Sequence, residues 1–210
     1  MTAKSIKTVK SRTQKRASST RKKLKKAALD IFSEKSVDAV TVEEITEKAD
    51  VGKGTLYQHF ADKEEIIVTL VNEAVEHLVE RLTSYDCPPE TLEQMLEHLL
   101  NAHYQFSIDS KDEFLLLFRG KLLLKLQSDT IDELEEPYLR YLREIEGQVS
   151  GYLPPGIDPL KVRRLACAMA GFIFGFFSFA MLGMTDDETE ASTKPLRRAF
   201  VRNLCTFLRR

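Results

Sequence analysis

The sequence predicts an all-α chain of about nine helices, in which a small three-helix unit precedes a larger helical domain. Three observations predict it. Apolar residues recur at spacings of three and four through most of the length, and no alternating strand pattern competes with them. Glycine and proline are sparse, nine and seven in 210 residues, and most prolines sit at apparent helix boundaries. Apolar residues make up 43% and charged residues 30%, an ordinary globular balance. A chain of this length buries a substantial core, as one elongated domain or two closely packed ones.

Residues 1–18 are rich in Lys, Arg, Ser and Thr without periodicity and read as a flexible basic arm. The first helix is expected from Ser19 or Thr20, either a good N-cap, with Leu24, Ala27, Ala28, Ile31 and Phe32 on one face. Val37 to Val40 breaks it. Thr41 with Glu44 three residues on is a capping-box pattern for a second helix ending near Ala49. Asp50-Val51-Gly52 makes a tight turn, and a short helix covers Lys53 to Phe60. Asp62 caps the next, which runs through Ile66, Leu70, Ala74, His77 and Leu78 to about Thr83.

Cys87-Pro88-Pro89 interrupts the chain. Helix five begins near Glu90 and aligns Leu92, Met95, Leu96, Leu99, His103 and Phe106. Helix six, about Glu113 to Leu126, is apolar almost all round and is expected to be deeply buried. Helix seven carries Ile131, Leu134, Tyr138, Tyr141, Ile145, Val149 and Tyr152. Pro137 lies inside that stripe and either kinks the helix or starts a new one. After Pro154-Pro155-Gly156, Asp158-Pro159 opens helix eight, reaching about Leu182. A polar loop precedes helix nine, which aligns Leu196, Phe200, Leu204 and Leu208.

The formal net charge of −1 conceals an asymmetry. Of 31 Lys and Arg, eleven fall within residues 1–26, before the first acid at Asp30. A basic end on an acidic body suits a polyanion-binding terminus, with a solvated tail as the plainer alternative. Cys87, Cys167 and Cys205 are widely spaced, odd in number and without metal or redox spacing, so they read as reduced cytosolic thiols. The cationic start lacks the apolar run of a secretion signal, and a cytoplasmic location is expected.

Residues 41–60 read TVEEITEKADVGKGTLYQHF. Two short helices joined by a three-residue turn form a helix-turn-helix unit. Ile45, Ala49, Val51, Leu56 and Phe60 supply its small core with Ile31 and Phe32, which leaves Lys53, Thr55, Tyr57, Gln58 and His59 outward. Those groups hydrogen-bond phosphates and base edges when a recognition helix enters a major groove.

The run TRKKLKKAALDIF…TVEEITEKADVGKGTLYQHFADKEEII resembles the DNA-binding domain of the TetR family of bacterial repressors over Thr20 to Ile66. Its most specific parts are Gly54-Thr55-Leu56-Tyr57, His59-Phe60 and Lys63-Glu64. The resemblance implies a flexible arm over 1–18, a DNA-binding domain over 19–65 and an effector-binding and dimerisation domain over 66–210. It implies that Thr41 and Lys63 meet phosphates, that Lys53 and Gln58 reach base edges, and that Gly54 lets backbone approach DNA. Thr55, Tyr57 and His59 would hold phosphates, which position the helix rather than specify sequence. The chain departs from the family pattern at Asp50, where Gly is usual, and at Gly52, where a capping Ser is common, which puts that phosphate contact in doubt. Thr46 replaces a small Ala and Ser36 a common Gly. Lys4, Lys7, Lys10, Arg12, Lys15 and Arg16 could follow the backbone or enter a minor groove.

Residues 165–184 carry no charge and include Gly171-x-x-x-Gly175. Read alone, the run is a transmembrane candidate. The competing reading, which the resemblance implies, is a helix buried against both its own domain and a second subunit, paired with the last helix across a homodimer. A two-fold dimer reads two half-sites, so the expected partners are double-stranded DNA with a near-palindromic operator, a second copy of the chain and an unidentified small-molecule effector. Ligand candidates are polar or aromatic groups among apolar helices: His103, Tyr104, Arg119, Tyr141, Phe172 and Phe176, with Lys121 beside Arg119. For His103 the plainer reading is a satisfied core histidine.

No metal or cofactor is expected. No nucleophile elbow, phosphate loop or metal-ligand spacing occurs, and His98 and His103 are five apart, off a common helical face, so no enzyme is predicted. The expected function is a regulator, a repressor released from its operator by the effector. The alternatives are an architectural or membrane-tethered DNA-binding protein without one.

Overall fold

The computed structural model describes residues 12–36, 39–123, 131–180 and 185–209. Among them are nine α-helices and no strand: α1 (Arg12–Glu34), α2 (Val42–Lys48), α3 (Lys53–Tyr57), α4 (Lys63–Thr83), α5 (Leu92–Asp109), α6 (Lys111–Leu123), α7 (Ile131–Ser150), α8 (Pro159–Ala180) and α9 (Asp186–Arg209). The chain divides into two compact units, the first ending at Ile67 and the second beginning at Val68.

In the first unit, Leu24, Ala27, Ala28, Ile31 and Phe32 of α1 are buried with Ile45, Ala49, Leu56, Phe60 and Ile66. Val51, expected in this core, is only half-buried. The helix does not start at Ser19 or Thr20. It begins at Arg12, so the arm expected over 1–18 loses residues 12–18 to α1. Gln14, Lys15, Arg16 and Ala17 are good helix formers, and Thr20 turns its hydroxyl back to the carbonyl of Arg16 (3.1 Å) instead of capping.

The capping box at α2 is formed: the Glu44 amide donates to Thr41 Oγ1 (3.2 Å) and the Thr41 amide donates to the Glu44 carboxylate (2.9 Å). At its other end the Val51 amide donates to Thr46 O and the Asp50 amide to Glu47 O, the paired bonds of a Schellman motif. That motif needs a left-handed residue after the helix, and Asp50 takes it with φ 54°. Asp62 caps α4 through the Glu65 amide (2.8 Å). α3 is shorter than expected, ending at Tyr57 rather than Phe60.

The second unit is a bundle of long helices. Its core holds Leu78 and Leu82 from α4, Met95, Leu96, Leu99 and Phe106 from α5, and Phe114, Leu116 and Leu117 from α6. Tyr141, Ile145 and Val149 from α7, Leu165, Met169 and Ile173 from α8, and Val201 and Leu208 from α9 complete it. α5 starts at Leu92 after Thr91, whose hydroxyl accepts from the Gln94 amide, two residues past the predicted start. α7 continues through Pro137. A mid-helix proline removes one hydrogen bond, and the helix persists because its next turns bury Tyr138, Tyr141, Ile145 and Val149; Tyr138 also donates to the carbonyl of Leu117 (2.6 Å). α8 opens as predicted, with Asp158 accepting from the Leu160 amide (2.9 Å) and Pro159 at the first helical position. α9 begins well before its apolar stripe because Thr185 and Glu188 form a second capping box. Among the described residues, no helix is long and apolar enough to cross a membrane.

Candidate functional site

The helix-turn-helix is α2, the Asp50-centred turn and α3. Leu56 is fully buried and Phe60 nearly so, which anchors one side of α3. The other side presents Lys53, Gly54, Tyr57 and Gln58 as exposed residues, with Thr55 and His59 half-buried. Tyr57 is 51% exposed, unusual for an aromatic residue, and nothing in its own unit explains so much uncovered ring. A Cβ added at Gly54 would meet no atom within 4 Å, so glycine there leaves the outer surface flat rather than relieving an internal clash.

The remaining predicted contact residues already have partners. Lys53 pairs with Glu43 of α2, and each group holds the other charged: the hydrogen bond raises the lysine and lowers the glutamate. Thr41 spends its hydroxyl in the capping box. Lys63 donates to the carbonyl of Val40 (3.0 Å), joining the first turn of α4 to the segment before α2. Thr46, in place of a smaller residue, is buried and donates to the carbonyl of Glu43 (3.0 Å), so its hydroxyl is satisfied. Gly52 occupies the N-cap of α3 without a side-chain bond.

Two residues of this surface escaped the sequence reading. Arg21 lays its guanidinium over the Phe60 ring (3.9 Å to the centroid), donates to the His59 carbonyl and lies 3.9 Å from Glu65. It braces the chain where α3 ends and α4 begins. In the sequence it is one cation in a basic run. Glu43 was equally anonymous, an acid in a capping turn that faces the same side as Lys53.

Residues 24–70 match the model of the bacterial regulatory proteins of the tetR family. Those residues form a helix-turn-helix domain of the TetR type. Relatives agree. The HTH-type transcriptional regulator YxbF of Bacillus subtilis is 35% identical over 88 residues, 40% of this chain and only 23% of YxbF's own length. The fatty acid metabolism regulator of the same organism is 28% identical over 145 residues, covering 66% of this chain and 73% of the regulator. In three dimensions, the fold superposes on the regulator FadR of B. subtilis, solved with stearoyl-CoA, with a TM-score of 0.70 at 18% identity, covering 87% of this chain and 96% of that one.

The second unit brings together some of the ligand candidates. His103 is 1% exposed. Its Nδ1 lies 2.6 Å from the Leu99 carbonyl and its Nε2 lies 2.7 Å from the Tyr141 hydroxyl. Burial pulls the imidazole down to about 4. The carbonyl only accepts, so Nδ1 carries the proton and Nε2 accepts from Tyr141, whose own acidity burial suppresses. Tyr141 also meets the Phe174 ring edge-on (6.2 Å), and Phe174 stacks on Phe114 (5.6 Å). Tyr104 lies apart from the pair, buried beneath Arg197, whose guanidinium is 4.5 Å from its ring centroid. Phe172 and Phe176 stack on one another (5.6 Å), and Phe172 stacks on Phe200 of α9 (4.2 Å). The Phe172–Phe200 stack joins α8 to α9. The side chains of Arg119 and Lys121 lie outside the described residues.

Proposed function

We propose that the chain is a homodimeric, DNA-binding transcriptional repressor of the cytoplasm, which leaves its operator when a small molecule binds the unit beginning at Val68. The observation that carries this reading is the division of α3 into a buried side, Leu56, and an open side of Lys53, Gly54, Tyr57 and Gln58. A short helix with an anchored back and a polar, half-aromatic front is what a major groove accepts.

Lys53 and Gln58 would reach base edges, and Thr55, Tyr57, His59 and Lys63 would hold phosphates. Thr41 would offer phosphate the free amides at the start of α2 more than its hydroxyl, which the capping box engages. One such helix reads only a few base pairs. Two copies would read a near-palindrome with half-sites about 34–36 Å apart or a multiple of that.

The surface available for pairing lies on α8 and α9. Cys167, Ala168 and Gly171 form an exposed small-residue stripe on α8, and Leu196 and Phe207 stand 47% and 43% exposed on α9. Large exposed apolar residues beside a smooth helix face suit a four-helix interface between subunits. The effector would enter among the second unit's helices, where His103 and Tyr141 supply a polar pair among apolar neighbours, with Tyr104, Phe172 and Phe176 as candidates elsewhere on the same bundle. A relative named as a fatty acid regulator, and a similar fold solved with stearoyl-CoA, make an acyl thioester the first compound to try.

The test is selection of duplex DNA by the purified protein, followed by gel-shift titration of the selected site. Tyr57→Ala should weaken binding by about tenfold or more while helicity is unchanged, a loss on the scale of one good contact. Equal affinity for the variant would remove α3 from the interface.

A further inference from the structure

Beside the break between α4 and α5 lies an open groove of about 330 Å³, walled by that loop, by Met95 of α5 and by the end of α7 with the turn after it. None of the ligand candidates above lines it. Ligand pockets span roughly 300–1,000 Å³, so its occupant is small.

The lining combines aromatic rings with one carboxylate. Tyr85 and Tyr152 supply the rings, Pro88 and Pro89 an apolar wall, and Glu144 the charge. No Lys or Arg lines the groove. The Glu144 carboxylate accepts from Gln148 Nε2 (2.8 Å) and pairs with no cation among the described residues.

These groups are held in place by one another. Tyr85 donates its hydroxyl to Gln148 Oε1, so Gln148 links the ring to Glu144. The Tyr85 ring also leans on His98, with centroids 4.6 Å apart and planes 51° from parallel. Tyr152 donates to the carbonyl of Pro89 (2.7 Å), which ties the turn after α7 to the loop. Burial raises the Tyr85 hydroxyl above its ordinary value, and Tyr152 and Glu144 add to the rise, so both lie within electrostatic reach of it. A lining fixed before any ligand arrives has little ordering left to undergo on binding.

Gly147 gives the groove its depth. It lies on the same face of α7 as Glu144 and Gln148, and a Cβ there would meet nothing within 4 Å. Glycine weakens a helix relative to alanine, and no contact within the chain requires it at this position.

Aromatic faces beside an unpaired carboxylate attract a cation, and apolar walls suit one clothed in methyl or methylene groups. A bare metal ion needs more oxygen ligands than one carboxylate offers. The wider field agrees. Eleven of the 31 Lys and Arg fall within residues 1–26, before the first acid, so the rest of the chain is acidic overall and draws cations.

We propose that this groove binds a small organic cation, an alkylammonium or quaternary ammonium group resting on the Tyr85 and Tyr152 rings and neutralised by Glu144. The site stands apart from the repressor reading, since binding alone tests it.

The experiment is a ligand-observed NMR titration of the full chain with choline chloride and with tetramethylammonium chloride at constant ionic strength. The control is the neutral isostere of choline, in which a tert-butyl group replaces trimethylammonium. Either cation should saturate, and the isostere should bind about tenfold or more weakly. Glu144→Gln, whose amide oxygen still accepts from Gln148, should weaken the cation about tenfold, and Tyr152→Leu about fivefold. Gly147→Leu should block the groove with helicity unchanged. The proposal is overturned by no saturable binding of either cation, by equal binding of the isostere, or by an affinity that neither Glu144→Gln nor Gly147→Leu alters. Saturation by a proline-rich peptide in place of the cations overturns it too.

Discussion

The Nε2 of His103 on α5 and the hydroxyl of Tyr141 on α7 lie 2.7 Å apart, both residues buried. The pair is satisfied at both ends only while the imidazole is neutral, because Nε2 must accept. Burial holds its folded value near 4, against 6.5 when exposed. Between those values the unfolded chain binds a proton that the folded chain refuses. Stability from this pair is therefore complete above pH 6.5 and is lost as pH falls toward 4. The total is on the order of 3 kcal/mol, with a slope of up to about 1.4 kcal/mol per pH unit. Urea unfolding of the wild type and of His103→Leu at several pH values checks it. The variant should be less stable at neutral pH and show a slope smaller by about one proton. Identical slopes would mean that the imidazole is charged or solvated in the folded state.

Asp50 is expected to cost stability through its backbone. It sits at φ 54°, in the left-handed region, because the Schellman end of α2 requires it. Asp50→Gly should leave the fold level or raise it by about 0.5 kcal/mol, as relief of the left-handed penalty slightly exceeds glycine's entropy cost. Asp50→Ala should lower it by about 1 kcal/mol, because alanine lacks aspartate's tolerance of this region. Chemical denaturation ranks the three proteins. An alanine variant as stable as the glycine one would show that the turn relaxes out of the left-handed conformation.

These two sites show what a sequence makes readable. The turn was legible because its rules are local: a capping Thr, a Glu three residues on, and a short residue that tolerates positive φ. His103 and its apolar neighbours were legible by periodicity, but its partner on α7 was not, since no local rule pairs residues 38 positions apart. Arg21 and Glu43 were invisible for the same reason, their roles being set by groups brought close only by folding. The early start of α1 was missed because Ser and Thr count against helix only weakly, and Arg16 supplies a carbonyl for Thr20. The proline inside α7 was ambiguous because burial of the stripe after it, a tertiary effect, decides whether the helix survives.

Glu43 should restrain operator binding. It faces the open side of α3 and holds Lys53, and a carboxylate beside a phosphate backbone is repelled as well. Glu43→Gln should raise operator affinity a few-fold and steepen its salt dependence by up to about one phosphate's worth, roughly 0.9 in the log–log slope. Lys53→Ala should lower affinity, and the double variant should lose the gain that Glu43→Gln brings alone. Gel-shift titrations at several salt concentrations separate these outcomes. If Glu43→Gln raises affinity equally with and without Lys53, the pair is not the means of restraint.

Substitutions at Gly171 would separate stability of the chain from assembly of the proposed dimer. It is exposed on α8, and a Cβ there meets nothing within 4 Å, so the single chain has no steric need for glycine. Alanine should in fact stabilise the helix by up to about 1 kcal/mol, the propensity difference. A second subunit packed on this stripe would change the sign for larger residues, because close helix approach depends on a smooth face. Gly171→Leu should therefore fold normally yet shift sedimentation toward monomer, and operator affinity should fall with it, since one recognition helix alone reads too few base pairs. Phe207→Asp on α9 should do the same by burying a charge at the same interface. If both variants sediment as dimers and bind DNA as the wild type does, the subunits meet through some other surface.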